Sequence, residues 1–332
     1  AEVLDAFDSL FEEVADHANR WRTLKFNYLT NRTHDILEQT HLPRLTSLSI
    51  ITLLNGRPLK LNTPILKRYN SATGDINLVS FEHPLPILTH ISQLFTPGTA
   101  ETLLQHLRRS QHVLAALTIQ FLVLPGGRFS LCFEDGTEFS AETLGLSLPT
   151  LAEYTVALGP SHCWGWNFLN IAHMPHLRRL DIYLRGFKYS EPNNTLLFLP
   201  QLHTLNISAQ YPRGFIAAVP PLLAATPNLE EVSLTQTSRG PPGYDAEWLL
   251  PLLYANQDPL TVAWPRLVVL RLRGMAIPGK VDLRRIPLGR PAFRRLSVDS
   301  TCWERSKGVG KDLNALREYF DVGVTEDTVT LW

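Results

Sequence analysis

One short phrase, repeated along most of the 332 residues, constrains this chain more than any other feature. It reads proline, any residue, an aliphatic, two variable residues, an aliphatic, one variable residue, an aliphatic. Pro43-Arg44-Leu45-Thr46-Ser47-Leu48-Ser49-Ile50 is the first clear copy. The phrase returns with its first aliphatic position at Leu151, Leu177, Leu202, Leu229, Leu267 and Phe293, and at Leu114 with His112 in the proline's place. Poorer copies at Leu66 and Leu88 lose the third aliphatic. The resulting ruler, 45, 66, 88, 114, 151, 177, 202, 229, 267 and 293, has steps of 21 to 27 residues except for two of 37 and 38. A unit this short cannot bury its apolar side alone, so its stable form is a stack of neighbours sharing one core.

Phrase and spacing are those of a leucine-rich-repeat kernel. Strand geometry sends alternate side chains to opposite faces, which predicts Leu180 and Ile182 pointing into the core and Arg179, Asp181 and Tyr183 pointing out. The expected fold is α/β: a leucine-rich-repeat solenoid with a curved parallel sheet on its concave side and helices and loops on its convex side. About ten or eleven units fill residues 21–332, including a C-terminal cap. Residues 1–20 are expected to form an amphipathic capping helix. In it Val3, Phe7, Leu10, Phe11 and Val14 recur on the face that would lie on the first repeat, with acids on the other. Trp21–Phe26 reads as a degenerate first strand. Between strands, Thr99 can cap a helix through Leu103, Leu104 and Leu107, and Asp245 one through Trp248, Leu249, Leu252 and Leu253. Residues 313–320 read as a last helix, followed by an apolar end at 322–332 that closes the array. The long steps hold turn-rich insertions at 122–146 and 235–243, expected as rim loops.

Composition narrows the partners. Thirty-one basic and 31 acidic residues cancel, which removes the global electrostatic case for nucleic acid or an acidic membrane. Charge is nonetheless uneven along the chain. Residues 1–19 carry six acids and no Lys or Arg, whereas 263–311 carry 12 basic residues against Asp282, Asp299 and Glu304. Cys132, Cys163 and Cys302 are far apart and odd in number, which favours a reducing compartment, cytoplasmic or nuclear. No secretory leader and no apolar run long enough to span a bilayer is visible, so no membrane partner is expected. The glycosylation-like triplets at Asn31, Asn193 and Asn206 carry little weight, Asn206 falling inside a repeat strand.

No enzyme chemistry emerges. Gly308-Val309-Gly310-Lys311 has Arg305 and Asp312 where a phosphate loop needs glycine and Ser or Thr, so a helix cap at Asp312 is the expectation. His173 and His176 lie across a proline that prevents a shared helical face, and His162 with Cys163 adds no third convergent ligand, so neither metal nor cofactor is expected. Gly145-Leu146-Ser147-Leu148-Pro149 is a lead into a repeat and lacks the closing glycine of a nucleophile elbow. The aromatic cluster at 163–168 reads as convex-side packing, with an exposed binding anchor as the other reading. The kernel register singles out Arg179, Asp181, Tyr183, Glu231, Arg271, Arg273 and Arg295 as outward residues of a partner-binding concave face. Among them Arg271, Arg273 and Arg295 form a basic patch suited to an acidic protein segment.

The chain resembles fungal F-box proteins with leucine-rich repeats. The resemblance rests on Ala18-Asn19-Arg20-Trp21-Arg22-Thr23-Leu24, on entries such as Leu199-Pro200-Gln201-Leu202 and Thr226-Pro227-Asn228-Leu229, and on residues 103–109 before Leu114. It implies that the repeats hold a protein destined for ubiquitination while an F-box docks on a cullin-ligase adaptor. The 20 residues before Trp21 are too few for that three-helix motif, so the docking half attaches to no residue of this sequence. The resemblance therefore implies the substrate-recognition region of an F-box-type ligase subunit. The alternative is a ligase-independent repeat module of a sensing or signalling protein.

Overall fold

A computed structural model describes residues 2–27, 29–51, 59–71, 79–81, 85–95, 100–121, 146–158, 169, 172–184, 198–210, 219, 222–237, 263–275, 286–287, 290–299 and 321–325. The chain divides into two compact units, one comprising Ala1–Tyr154 and Ile171–Pro175, the other Thr155–Asn170 and His176–Trp332. Both are built as parallel β-solenoids with few helices.

The first unit begins with helix α1 (Glu2–Ala15), a 3-10 turn (Ala18–Arg20), strand β1 (Thr23–Phe26) and helix α2 (Asn31–Gln39). Strands β2 (Ser47–Ile50), β3 (Leu59–Leu61), β4 (Arg68–Ser71), β5 (Val79–Phe81) and β6 (His90–Phe95) follow, then α3 (Ala100–Ser110) and β7 (Ala116–Phe121). β1, β2, β4, β6 and β7 form one parallel ladder, and β3 pairs with β5 in a separate parallel pair. β8 (Glu153–Leu158) spans the division between the units. The second unit carries β9 (Arg179–Leu184), β10 (Thr204–Ala209), β11 (Glu231–Gln236), β12 (Val269–Arg273), β13 (Arg295–Asp299) and β14 (Asp321–Thr325), each paired in parallel with the next.

Each of the ten ruler positions is followed two residues later by the start of a strand, from Leu45 before Ser47 to Phe293 before Arg295. Trp21 before Thr23 obeys the same rule. The proline has a mechanical reason. Leu45 N–H donates to Leu42 O, Leu66 to Thr63, Leu88 to Leu85, Leu151 to Leu148, Leu202 to Leu199, Leu267 to Trp264 and Phe293 to Arg290. These are β-turns with proline second, where its fixed φ prepares the turn and no N–H is lost from the ladder. After each turn, two successive amides converge on one carbonyl of the preceding phrase. Thr46 and Ser47 donate to Arg22 O, His203 and Thr204 to Arg178 O, and Arg294 and Arg295 to Val268 O. This joint fixes register independently of side chains.

Alternation then builds the cores. In the second unit one inward row is Leu180, Leu205, Val232, Leu270, Leu296 and Val322, the next Ile182, Ile207, Leu234, Leu272 and Val298, all buried. In the first unit the corresponding rows are Leu48, Tyr69, Ile91 and Leu117, then Ile50, Ser71, Gln93 and Ile119. The copies at Leu66 and Leu88 therefore keep the register, with Ser71 and Gln93 buried where the third aliphatic is missing. Neither amide atom of Gln93 has a hydrogen-bond partner. Tyr69 stacks edge-on against His106 of α3 at 6.0 Å between ring centroids. Burial pushes the Tyr69 phenol well up, Ser71 opposing it, and pushes the His106 imidazole down to about 4, with Arg109 adding in the same direction. In the second unit the largest buried charged side chain among the described residues is Arg290. Its guanidinium donates to the carbonyls of Ala263 and Ile286, and burial lowers its pKa to about 10.

Two sequence expectations change. The helix α1 exists, but it buries a different face from the one expected. Phe11 and Asp8 turn inward, Phe11 against Trp21 and Phe26 at 5.7 and 5.4 Å, while Val3, Phe7, Leu10 and Val14 are exposed. The reason is polar: Thr30 and Thr33, at the start of α2, both donate to Asp8 Oδ1, at 2.6 and 2.7 Å, and rotate the acid toward the protein. The second change is the β3–β5 pair, which lies in connecting segments where the kernel gives no signal. Helix α3 buries Leu103, Leu104 and Leu107 as expected. The Thr99 cap, the helices at 245–253 and 313–320, both insertions except their edges, the cysteines, the 163–168 cluster and Gly308–Asp312 lie outside the described residues.

Candidate interaction surface

The outward face of the second unit is three registered rows. The first runs Arg179, Thr204, Glu231, Val269, Arg295, Asp321; the second Asp181, Asn206, Ser233, Arg271, Ser297; the third Tyr183, Ser208, Thr235, Arg273, with Asp299 ending β13 two residues after Ser297. Parallel strands pair residue to residue, so these side chains sit on a lattice fixed by the backbone. All seven residues singled out from the sequence lie on this face.

Their electrostatics differ from the expected basic patch. Arg271 Nη1 donates to Glu231 Oε2 at 2.9 Å, reaching diagonally to the adjacent strand, and Arg295 Nε donates to Asp321 Oδ2 at 2.8 Å. Two of the three guanidiniums are thus matched by carboxylates on neighbouring strands. Both pairs are solvent-accessible and contribute at most about 1 kcal/mol each. Asp181 requires a further correction: it is on the outward face yet buried, because Arg179 Nε covers both carboxylate oxygens at 3.1 Å and Asn206 Nδ2 donates to Oδ1. Tyr183, half-buried beside this cluster, has its phenol pushed up by burial first and Asp181 second, with Arg179 opposing. Asp299 is also buried, accepting the backbone N–H of Gly274 at 2.7 Å. Gly274 has φ +70°, and a Cβ there would stand 2.2 Å from Gln236 O, so the chain can leave β12 in this way only with glycine.

The outward rows of the first unit are of another kind. They run Thr23, Ser47, Arg68, His90, Ala116 and Lys25, Ser49, Asn70, Ser92, Thr118, mostly small and neutral. Asn70 Nδ2 donates to Ser49 Oγ at 3.2 Å. His90 is held below its usual range by burial and by Arg68, Glu153 opposing. His173 and His176 are exposed and lie in the entry to β9, His173 in an isolated bridge to Ser147.

Sequence reasoning missed Asn206 and Asp321 as members of the outward face. Register would have found them, since Asn206 lies opposite Asp181 and Asp321 opposite Arg295. It also missed the group His34, Asp35 and Glu38 on α2, whose ligand-type atoms lie within 4.8 Å of one another. Comparison with protein-family models, curated proteins and solved structures returns no match to this chain. Among the described residues no helix is long and apolar enough to cross a membrane.

Proposed function

We propose that the chain is a leucine-rich-repeat recognition scaffold, binding another protein on the outward rows of its strand ladder and serving as the substrate-recognition region of an F-box-type subunit of a cullin-based ubiquitin ligase. One observation supports the binding role above others. The second unit presents Arg179, Asp181, Tyr183, Glu231, Arg271, Arg273 and Arg295 in fixed register over an aliphatic core that none of them helps to build. A surface whose residues can change without disturbing the core suits recognition by equilibrium binding rather than bond chemistry. The mixed charges favour a partner segment that carries both signs, with acids set to compete for Arg271 and Arg295. The ligase role rests on the F-box resemblance alone.

The test compares native-extract capture by the wild type and by a variant with Arg271, Arg273 and Arg295 all changed to Ala, read by quantitative mass spectrometry. The proposal expects specific proteins to be lost from the variant while its thermal midpoint stays close to the wild type. Identical capture profiles would overturn the assignment of this face. The ligase role expects the natural gene product to co-purify with a cullin adaptor, and co-purification with a nucleotide-binding or kinase module in its place would overturn it.

A further inference from the structure

We propose that His34, Asp35 and Glu38 form a binding site for a divalent transition-metal ion of the zinc type. The argument starts from an anomaly. His34 lies one turn into α2, is only 1% exposed, and neither ring nitrogen has a hydrogen-bond partner. A neutral imidazole carries one donor and one acceptor, and each buried polar atom left without a partner costs about 1–3 kcal/mol. Native structures rarely tolerate this unless an ion or ordered water completes the site.

What surrounds the ring points to an ion. Asp35 Oδ1 stands 3.8 Å from His34 Nδ1, too far for a hydrogen bond. It is near the separation of two ligands that each lie about 2 Å from one tetrahedral metal. Glu38 follows His34 by four residues, on the same face of the helix, and its Oε1 is steadied by the backbone N–H of Lys60 on β3 at 3.1 Å. The three ligand atoms lie within 4.8 Å of one another, so small side-chain rotations close the set around one ion. The Thr30 cap, accepting from Thr33 N at 3.1 Å, fixes the first turn from which His34 projects.

The donor set selects the metal. One imidazole and two carboxylates suit Zn²⁺ and its spectroscopic substitute Co²⁺, whereas Ca²⁺ and Mg²⁺ prefer oxygen-only shells. The Asp35 side chain is 51% exposed, so the site opens to solvent on that side and a water completes the shell. The ion would tie α2 to β3 through Glu38.

The experiment uses the whole chain, stripped with a chelator and then titrated with Zn²⁺ against a chromophoric zinc indicator, and separately with Co²⁺ followed by visible absorption. The wild type should take up one Zn²⁺ with high occupancy at micromolar metal, raise its thermal midpoint on loading, and give a Co²⁺ spectrum with a nitrogen ligand. Glu38→Gln, at a half-buried position, should fold normally and bind at least tenfold more weakly, and His34→Gln should abolish the Co²⁺ band. Equal affinity for wild type and Glu38→Gln would overturn the site, as would no uptake at a hundredfold excess of Zn²⁺. Should His34→Gln fail to fold, paramagnetic broadening by Co²⁺ of the His34 ring signals in the wild type decides, and undisturbed signals would refute the assignment.

Discussion

The two units obey one backbone rule and fill it differently. In the second, both inward rows are wholly aliphatic from β9 to β13, and the polar residues outside them pair with each other. In the first, Tyr69, Ser71 and Gln93 interrupt the same rows, and the helix behind them contributes His106. Register therefore does not depend on a perfect apolar phrase. The turn and the paired amides place each strand, and the side chains then decide how stable that placement is.

The sharpest way to break this contrast is Leu180→Ala. Leu180 is fully buried in the aliphatic row, and its truncation should destabilise the second unit by about 2–5 kcal/mol, seen as faster hydrogen exchange across β9 and β10. A near-silent result would show that this row is no core.

Acid should act on the first unit instead. Burial holds the His106 imidazole at about 4 against an ordinary 6.5, so between those values the unfolded chain binds more protons than the folded one. Stability from this group is complete above pH 6.5, declines as pH falls, and is lost by about pH 4, a change of about 3 kcal/mol. His90, also held low, acts in the same sense. Urea titrations of the wild type and His106→Gln at pH 7 and pH 4.5 read the difference, and equal pH slopes would remove His106 as its source.

Gln93→Leu sharpens the contrast from the other side. Replacing a buried amide without partners by an apolar chain of similar volume should stabilise by about 1–3 kcal/mol, measured by denaturant midpoint. Destabilisation would mean that the amide is engaged. The smallest effect belongs to the outward rows: Arg295→Ala should cost no more than about 1 kcal/mol, since its pair with Asp321 is exposed, and a larger loss would make that pair part of the fold.

Much of the ladder was legible in the sequence because period-two alternation and a proline-led turn leave a signature in residue order. Trp21 and Leu45 announce β1 and β2 as clearly as Leu267 announces β12. Contacts set by distance across the chain were not legible. Asp8 faces inward because two threonines more than 20 residues on are hydrogen-bonded to it, which no helical wheel contains. Arg290 reads as one more surface cation until carbonyls of Ala263 and Ile286 close over it. Residue order groups Arg271 with Arg273 and Arg295 as a basic patch over two adjacent strands, but it does not show that Glu231, 40 residues earlier, pairs with Arg271. His34 and Glu38 carry a helical i, i+4 spacing, yet only burial reveals that the ring lacks partners.

The joint between successive phrases has an ancestral consequence. Two amides meeting one carbonyl make the same seam between Arg22 and Ser47 as between Val268 and Arg295, whatever residues flank it. Unequal copying of the gene could thus add or remove a whole phrase without inventing a new connection, and length in this lineage would be free to drift by increments of one unit while the neighbours on either side stayed seated.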